Sequence, residues 1–176
     1  MYHHSEAWHS LMDKLVTHTA SYLNMQVLNG ASVVQLFDSW VGALSPSDFN
    51  EFAMPHLKKL VASISKDAYV VYFGTQTNGL LEQLSELDAH TIGVDWRIDL
   101  DKAWNIIGHD KGIQGNLDPV TLFADKDTIK KRAIEILDKA EGRPGHIFNL
   151  GHGILPQTPV DNVKYLVEVV HSYKSK

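Results

Sequence analysis

His146-Ile147-Phe148-Asn149-Leu150-Gly151-His152-Gly153-Ile154 is the stretch of sequence that decides the fold. It is an apolar run, suited to a buried strand, that ends on a histidine between two glycines. Because glycine has no Cβ, Gly151 and Gly153 are expected to let the backbone turn sharply and the His152 ring project freely. In parallel α/β proteins the C-terminal end of a strand is where chemistry occurs, so His152 is the first candidate functional residue.

A helix start follows this strand, with Thr158 predicted at the N-cap, Pro159 at N1 and Asp161 at N3. The strand and helix make one βα unit, and the rest of the chain repeats the pattern. Hydrophobic periodicity predicts strands over 32–37, 69–73 and 91–94 and from 111 onward. It predicts helices over 8–28, 46–64, 80–87, 99–107, 125–139 and 159–173, with Ser45 and Asp99 as further N-caps.

Strict alternation of strand and helix predicts a parallel sheet with right-handed crossovers. An open doubly wound sheet and part of a (β/α)8 barrel both remain possible. A glycine-rich GxGxxG turn, typical of dinucleotide binding, does not follow the first strand. Polar residues end every strand, as at the catalytic face of a barrel, but five strands do not close a barrel of about 250 residues. We expect residues 1–176 to form one domain.

Composition narrows the function classes. The 176 residues are 44% hydrophobic and carry a net charge of −5 without a basic run, which disfavours nucleic acid and anionic membrane as partners. The absence of cysteine rules out disulfides and thiolate metal sites. Neither a signal peptide nor a membrane-spanning run of about 18 apolar residues is recognisable, so a cytoplasmic protein is expected.

If the sheet is parallel, the polar residues at its strand ends converge on one face: Asp38 with Ser39, Thr75 with Gln76, Asp95, Gln114 with Asn116 and Asp118, and His152. Such residues also cap helices or form turns, which is the better interpretation for Asp118 before Pro119. A GxSxG elbow around Ser39 and an HExxH zinc motif are both absent. Carboxylate pairs for glycoside hydrolysis could be drawn from Asp38, Asp95 or Glu82, but no spacing selects one.

Four segments together resemble the uroporphyrinogen decarboxylase family, and the resemblance covers about residues 8–173. They are Phe37-Asp38-Ser39-Trp40 with Gly42-x-Leu44-Ser45-Pro46, Gly93-Val94-Asp95-Trp96, Gln114-Gly115-Asn116-Leu117-Asp118-Pro119, and Asn149-Leu150-Gly151-His152-Gly153. The resemblance implies a (β/α)8 TIM barrel of which about five C-terminal units are present, and a homodimer. It also implies a lyase of haem and porphyrin biosynthesis.

That lyase removes the carboxyl groups of the four acetate side chains of uroporphyrinogen III, giving coproporphyrinogen III, without metal or organic cofactor. The resemblance implies that Ser39 and His152 contact the tetrapyrrole substrate. The family's Arg-Gln-Ala-Gly-Arg-type motif, its central aspartate and its substrate-contacting tyrosine have no match in this chain, so no catalytic residue is assigned. Asp95 matches a different family segment. We therefore expect a truncated gene product without measurable decarboxylase activity.

Two other functions remain open. One is a corrinoid or methyl-transferring relative of the same superfamily, whose zinc is held by histidine and cysteine; the absence of cysteine here disfavours it. The other is a non-catalytic paralogue that binds a tetrapyrrole or pairs with another chain through an open sheet edge.

Overall fold

The computed structural model describes residues 1–174, in which five parallel strands alternate with helices. The strands are β1 Val33–Asp38, β2 Tyr69–Gly74, β3 Thr91–Gly93, β4 Gly112–Leu117 and β5 His146–Leu150. The helices are α1 Ser5–Leu28, α2 Pro46–Asp48, α3 Met54–Ala62, α4 Leu81–Ser85, α5 Leu100–Ile107, α6 Lys126–Lys139 and α7 Val160–Ser172. A π-helical turn, Phe49–Ala53, joins α2 to α3. Each predicted strand is confirmed, and the predicted strand ends lie within one or two residues of the observed ends.

The spatial order of the strands is β1-β2-β3-β4-β5, the same as their order in the chain, and every neighbouring pair is parallel. A doubly wound sheet would reverse direction at a switch point, whereas a barrel adds each strand beside the previous one. The strand order therefore settles the choice: the chain forms part of a (β/α)8-type barrel.

The two faces of the sheet have different surroundings. Side chains on one face pack beneath the helices in the main core, including Val34, Leu36, Tyr72, Ile92 and Ile113. A second cluster around Leu117, Leu122, Ile129 and Leu166 joins α6 and α7 to the end of the sheet. The other face is the inner face of the barrel wall, where Val33 and Phe37 are 56% and 72% exposed. Exposure alternates along β1 and β5, whereas β3 and β4 are buried throughout and β2 is buried except at Tyr69.

The predicted N-caps can be compared with the observed helix ends. Asp125, which was predicted only to begin a helix, is the N-cap of α6: its Oδ1 accepts from the Thr128 backbone N–H at 2.9 Å. Thr158 was predicted wrongly, because α7 starts one residue later, with Pro159 at the N-cap. Thr158 instead donates its backbone N–H to Leu155 in the preceding turn, and its hydroxyl is buried without a partner. Asp99 is at the N-cap of α5, but its carboxylate binds lysines rather than backbone N–H groups.

Ser45 makes the predicted cap as well: its hydroxyl accepts from the Asp48 backbone N–H at 3.1 Å and so starts α2.

Within residues 1–174, no helix is long and apolar enough to cross a membrane.

Candidate functional site

His152 follows β5 at the carboxyl end of the sheet, and its side chain is exposed. The Gly151 backbone N–H donates to the Leu117 carbonyl at 2.7 Å, which extends the pairing of β4 and β5 up to the histidine. The His152 ring centroid lies 6.4 Å from that of Phe73 in β2. The strand end therefore places the imidazole over the inner face of the sheet.

Gly151 has a different role from the one predicted. Neither Gly151 nor Gly153 has a positive φ, so the backbone does not need glycine for a sharp turn at either position. A Cβ on Gly151 would lie 2.6 Å from the Trp96 backbone nitrogen, whereas nothing lies within 4 Å of a Cβ on Gly153. Gly151 is needed because the end of β5 packs directly on the loop after β3.

An open cavity of about 370 Å³ lies beside His152 on the inner face. Its side walls include Phe37 and Phe73, whose ring centroids are 6.0 Å apart in an edge-to-face arrangement. The polar side chains of the lining are amides and one imidazole: Gln35, Gln114, Asn149 and His152. The cavity thus combines aromatic surfaces with neutral hydrogen-bonding groups and an ionisable histidine.

Ser39 lies in the turn directly after β1, at the same end of the sheet as His152, and is half-buried. Its backbone carbonyl accepts a hydrogen bond from the Thr75 hydroxyl, which anchors the turn to the end of β2. Ser39 is not among the residues that line the cavity, although Phe37 of the same strand is. Of the two predicted substrate contacts, His152 therefore lines the cavity, whereas Ser39 lies at the same end of the sheet but outside the lining.

Asp38 does not project into the cavity, in contrast to the prediction. It lies on the same face of β1 as the buried residues Val34 and Leu36. Its Oδ2 accepts from the Tyr72 hydroxyl at 3.1 Å. Burial raises the pKa of the Asp38 carboxyl, and the hydrogen bond from Tyr72 opposes this shift. Burial, together with the nearby Asp38 charge, also raises the pKa of Tyr72. This hydrogen bond joins β1 to β2 below Ser39.

Asp95 is also occupied by structural contacts. It is 2% exposed and accepts from the Gln76 and Arg97 backbone N–H groups at 2.7 and 2.9 Å. The Arg97 guanidinium lies 2.6 Å from Asp95 Oδ2 and 4.3 Å from the centre of the Trp96 ring. Asp95 therefore holds together the loops after β2 and β3.

Two further predicted residues are structural. The Asn116 side-chain amide donates to the Asp95 and Ile98 carbonyls at 2.9 and 2.7 Å. Asp118 Oδ1 accepts from the Val120 backbone N–H at 2.9 Å, which confirms its interpretation as a turn and cap. Among residues 1–174, His, Asp and Glu side chains form no group of three that could hold a metal ion.

Sequence reasoning missed Gln35, Phe37 and Phe73 as cavity residues. The signal was present in β1, where the polar Gln35 interrupts an apolar strand on the face opposite Val34 and Leu36. Only the strand register shows that Phe37 pairs with Phe73 across β1 and β2.

The strand order and the cavity at the carboxyl ends define a barrel-type protein with a candidate ligand site formed by strand ends and the loops that follow them. The sequence model of the family "Uroporphyrinogen decarboxylase (URO-D)" matches residues 1–173. The chain belongs to the uroporphyrinogen decarboxylase family.

Two relatives illustrate the match. Uroporphyrinogen decarboxylase of Chloroflexus aggregans is 51% identical over 178 residues, covering 98% of this chain and 50% of the relative. The enzyme of that name from Koribacter versatilis is 49% identical, covering 100% of this chain and 51% of the relative. The chain spans about half the length of these relatives and matches their C-terminal half.

A solved structure supports the same fold. A methyltransferase from Methanosarcina mazei superimposes with a TM-score of 0.79 at 26% identity, over 89% of this chain and 46% of that protein.

Proposed function

We propose that residues 1–176 form the C-terminal portion of a uroporphyrinogen decarboxylase-like barrel and supply one wall of its tetrapyrrole site. The reaction is the stepwise removal of the four acetate carboxyl groups of uroporphyrinogen III in the cytoplasm, giving coproporphyrinogen III. The assembled enzyme is a homodimer and uses neither metal nor organic cofactor. The family match over residues 1–173 is the observation that carries this proposal.

The lining of the cavity supports it. Uroporphyrinogen carries eight carboxylates on four pyrrole rings, so its site needs hydrogen-bond donors and apolar surfaces for the rings rather than additional acids. The amides of Gln35, Gln114 and Asn149 provide donors, and Phe37 and Phe73 provide aromatic surfaces. The nearby carboxylates of Asp38 and Asp95 are already bound to Tyr72 and Arg97. Substrate carboxylates would therefore meet little repulsion.

In this proposal, Ser39 and His152 bind the substrate at the carboxyl end of the sheet. The Ser39 hydroxyl and the His152 imidazole each donate to a substrate carboxylate, and a protonated imidazole would add charge complementarity. Loss of CO2 leaves its electron pair on the substrate, and a pyrrole ring protonated at carbon accepts it. An anion must stabilise that ring. Asp95 does not serve, because it is buried against Arg97.

The family's central aspartate has no match among the segments on which the resemblance rests. We infer that this chain alone binds part of the substrate but does not turn it over.

The second candidate is a non-catalytic paralogue that binds a tetrapyrrole. The exposed His152 beside an aromatic cavity favours this candidate. These side chains could contact a pyrrole ring of a tetrapyrrole without any residue from outside this chain. A methyl-transferring function has less support, because the methyltransferase from Methanosarcina mazei is 26% identical whereas the decarboxylase of Chloroflexus aggregans is 51% identical.

A chimera tests the proposal. This chain replaces the matched half of the Chloroflexus aggregans protein, and anaerobic assays with uroporphyrinogen III measure coproporphyrinogen by chromatography after oxidation. We expect product from the chimera and none from the isolated chain. A chimera that is folded by circular dichroism but forms no product would disprove the decarboxylase function. Porphyrin binding to such a chimera, followed by fluorescence, would favour the non-catalytic candidate.

A further inference from the structure

His152, a proposed substrate contact, has few contacts of its own. Among residues 1–174, its side chain makes no hydrogen bond or ion pair, and its ring centroid lies 6.4 Å from that of Phe73. The residues that follow, 153–157, are all exposed, and nothing lies within 4 Å of a Cβ added to Gly153. His152 is therefore held in place mainly through the residue before it, Gly151.

Gly151 is buried and contacts two other segments of the chain. Its backbone N–H donates to the Leu117 carbonyl at 2.7 Å, which ties it to the end of β4. It also packs on Trp96: a Cβ added to Gly151 would lie 2.6 Å from the Trp96 backbone nitrogen and 3.0 Å from ring atom Cε3. The hydrogen bond fixes the register of Gly151 along the sheet. The contact with Trp96 fixes how far the chain lies from the loop after β3.

Trp96 is held by its neighbours in the chain. The Arg97 guanidinium carbon lies 4.3 Å from the centre of the Trp96 ring, which is a cation–π contact. The guanidinium also binds Asp95 Oδ2 at 2.6 Å, and the buried Asp95 accepts from the Gln76 backbone N–H. Asn116 of β4 donates to the Asp95 carbonyl. The Trp96 ring is therefore supported by a charged pair that is anchored to two other segments of the chain.

We propose that Trp96 is a positioning residue for His152 and that Arg97 acts by holding the Trp96 ring. Neither Trp96 nor Arg97 lines the cavity of about 370 Å³ beside His152, so both act through Gly151 rather than on the substrate. A hydrogen bond from an imidazole to a carboxylate needs a donor–acceptor distance of about 2.7–3.2 Å, so a displacement of His152 by about 1 Å would break it. The inference rests on the proposed function for the ligand of His152, but not for the contacts that hold the histidine.

Two variants remove this support without changing a residue of the cavity. Trp96→Leu lacks the aromatic ring. Arg97→Lys keeps a positive charge for Asp95 but lacks the planar group that stacks on Trp96. The matched control is Arg132→Lys, because Arg132 on α6 also pairs with a carboxylate, at 3.0 Å, through an exposed side chain. Arg97→Lys changes an exposed side chain and keeps the test available if Trp96→Leu does not fold, which circular dichroism shows.

Nuclear magnetic resonance tests the placement of His152 in this chain without any substrate. The order parameter of the His152 backbone N–H should fall in Trp96→Leu and Arg97→Lys toward about 0.6, the value of a flexible backbone, and should stay unchanged in Arg132→Lys. The Gly151 N–H should exchange with solvent at least roughly threefold faster in the first two variants, since the packing that protects its hydrogen bond is loosened.

A double-mutant cycle in the chimera tests the effect on the substrate. Trp96→Leu and Arg97→Lys should each lower kcat/KM about threefold to tenfold, and Arg132→Lys should leave it unchanged. Combined with His152→Ala, neither should cause a further loss, because the group that they position is then absent. A general loss of stability would instead lower kcat/KM by the same factor with and without the imidazole.

An active chimera in which the losses multiply with that of His152→Ala would overturn the inference alone. Unchanged order parameters at His152 in both Trp96→Leu and Arg97→Lys would overturn it as well. An inactive chimera, together with lowered order parameters at His152 in this chain, would count against the proposed function alone and would support the positioning of His152 by Trp96.

Discussion

Gly151 approaches Trp96 so closely that a Cβ on the glycine would lie 2.6 Å from the tryptophan backbone nitrogen and 3.0 Å from ring atom Cε3. This contact joins the end of β5 to the loop after β3, directly below His152. Since an added methyl group must displace a backbone segment, we expect Gly151→Ala to lower the free energy of unfolding by about 1–3 kcal/mol.

Gly153→Ala is the matched control, because nothing lies within 4 Å of its added Cβ. Urea unfolding compares the two variants with the unchanged chain. Equal stability of both variants would contradict the packing role of Gly151.

Burial raises the pKa of Asp38, so the folded chain retains this proton at pH values where the unfolded chain has lost it. The free energy of unfolding should therefore fall as the pH rises from about 3.9, the ordinary pKa of an aspartate, through the raised folded value. Asp38→Asn keeps an acceptor for the Tyr72 hydroxyl without the charge. We expect this variant to be more stable than the unchanged chain at pH 7, by thermal unfolding.

The control is Asp88→Asn, whose side chain is 86% exposed and should change stability little. A variant Asp38→Asn that is less stable at pH 7 would show that the carboxylate contributes favourably in its charged form.

Removal of the Arg97 side chain should leave the Asp95 carboxylate buried with only its two backbone donors. A broken buried ion pair is strongly destabilising, but Arg97 is 41% exposed, which reduces the effect. We expect Arg97→Ala to lower the free energy of unfolding by about 1–3 kcal/mol. Adding Asp95→Asn to Arg97→Ala should recover part of this loss in urea unfolding, and a further additive loss would refute the charge-based explanation.

Ser39→Ala and His152→Ala, made in the chimera, test the substrate contacts. A hydrogen bond to a charged group contributes about 1.5–3 kcal/mol, so each variant should lower kcat/KM by roughly tenfold to a hundredfold. Circular dichroism should remain unchanged, because His152 is exposed and Ser39 makes its described contact through its backbone. His3→Ala, at another exposed histidine, is the control. Full activity of His152→Ala would remove that residue from the site.

The resemblance to the family could be recognised from four short segments, and the alternation of periodicities predicted every strand. Local chemistry also predicted the Ser45 cap, since a cap involves residues only three positions apart. The choice between an open sheet and a barrel required the spatial order of the strands, because both architectures have the same alternation of strands and helices along the chain.

The sequence by itself determined which segments are strands and helices, and that His152 ends a strand. Only the tertiary structure decided that Asp38 pairs with Tyr72, that Asp95 is bound by Arg97, and that Gly151 packs on Trp96. The physical reason is that periodicity depends on neighbours a few residues away. Contacts between strand ends depend on register and loop conformation, which form only when distant segments pack together.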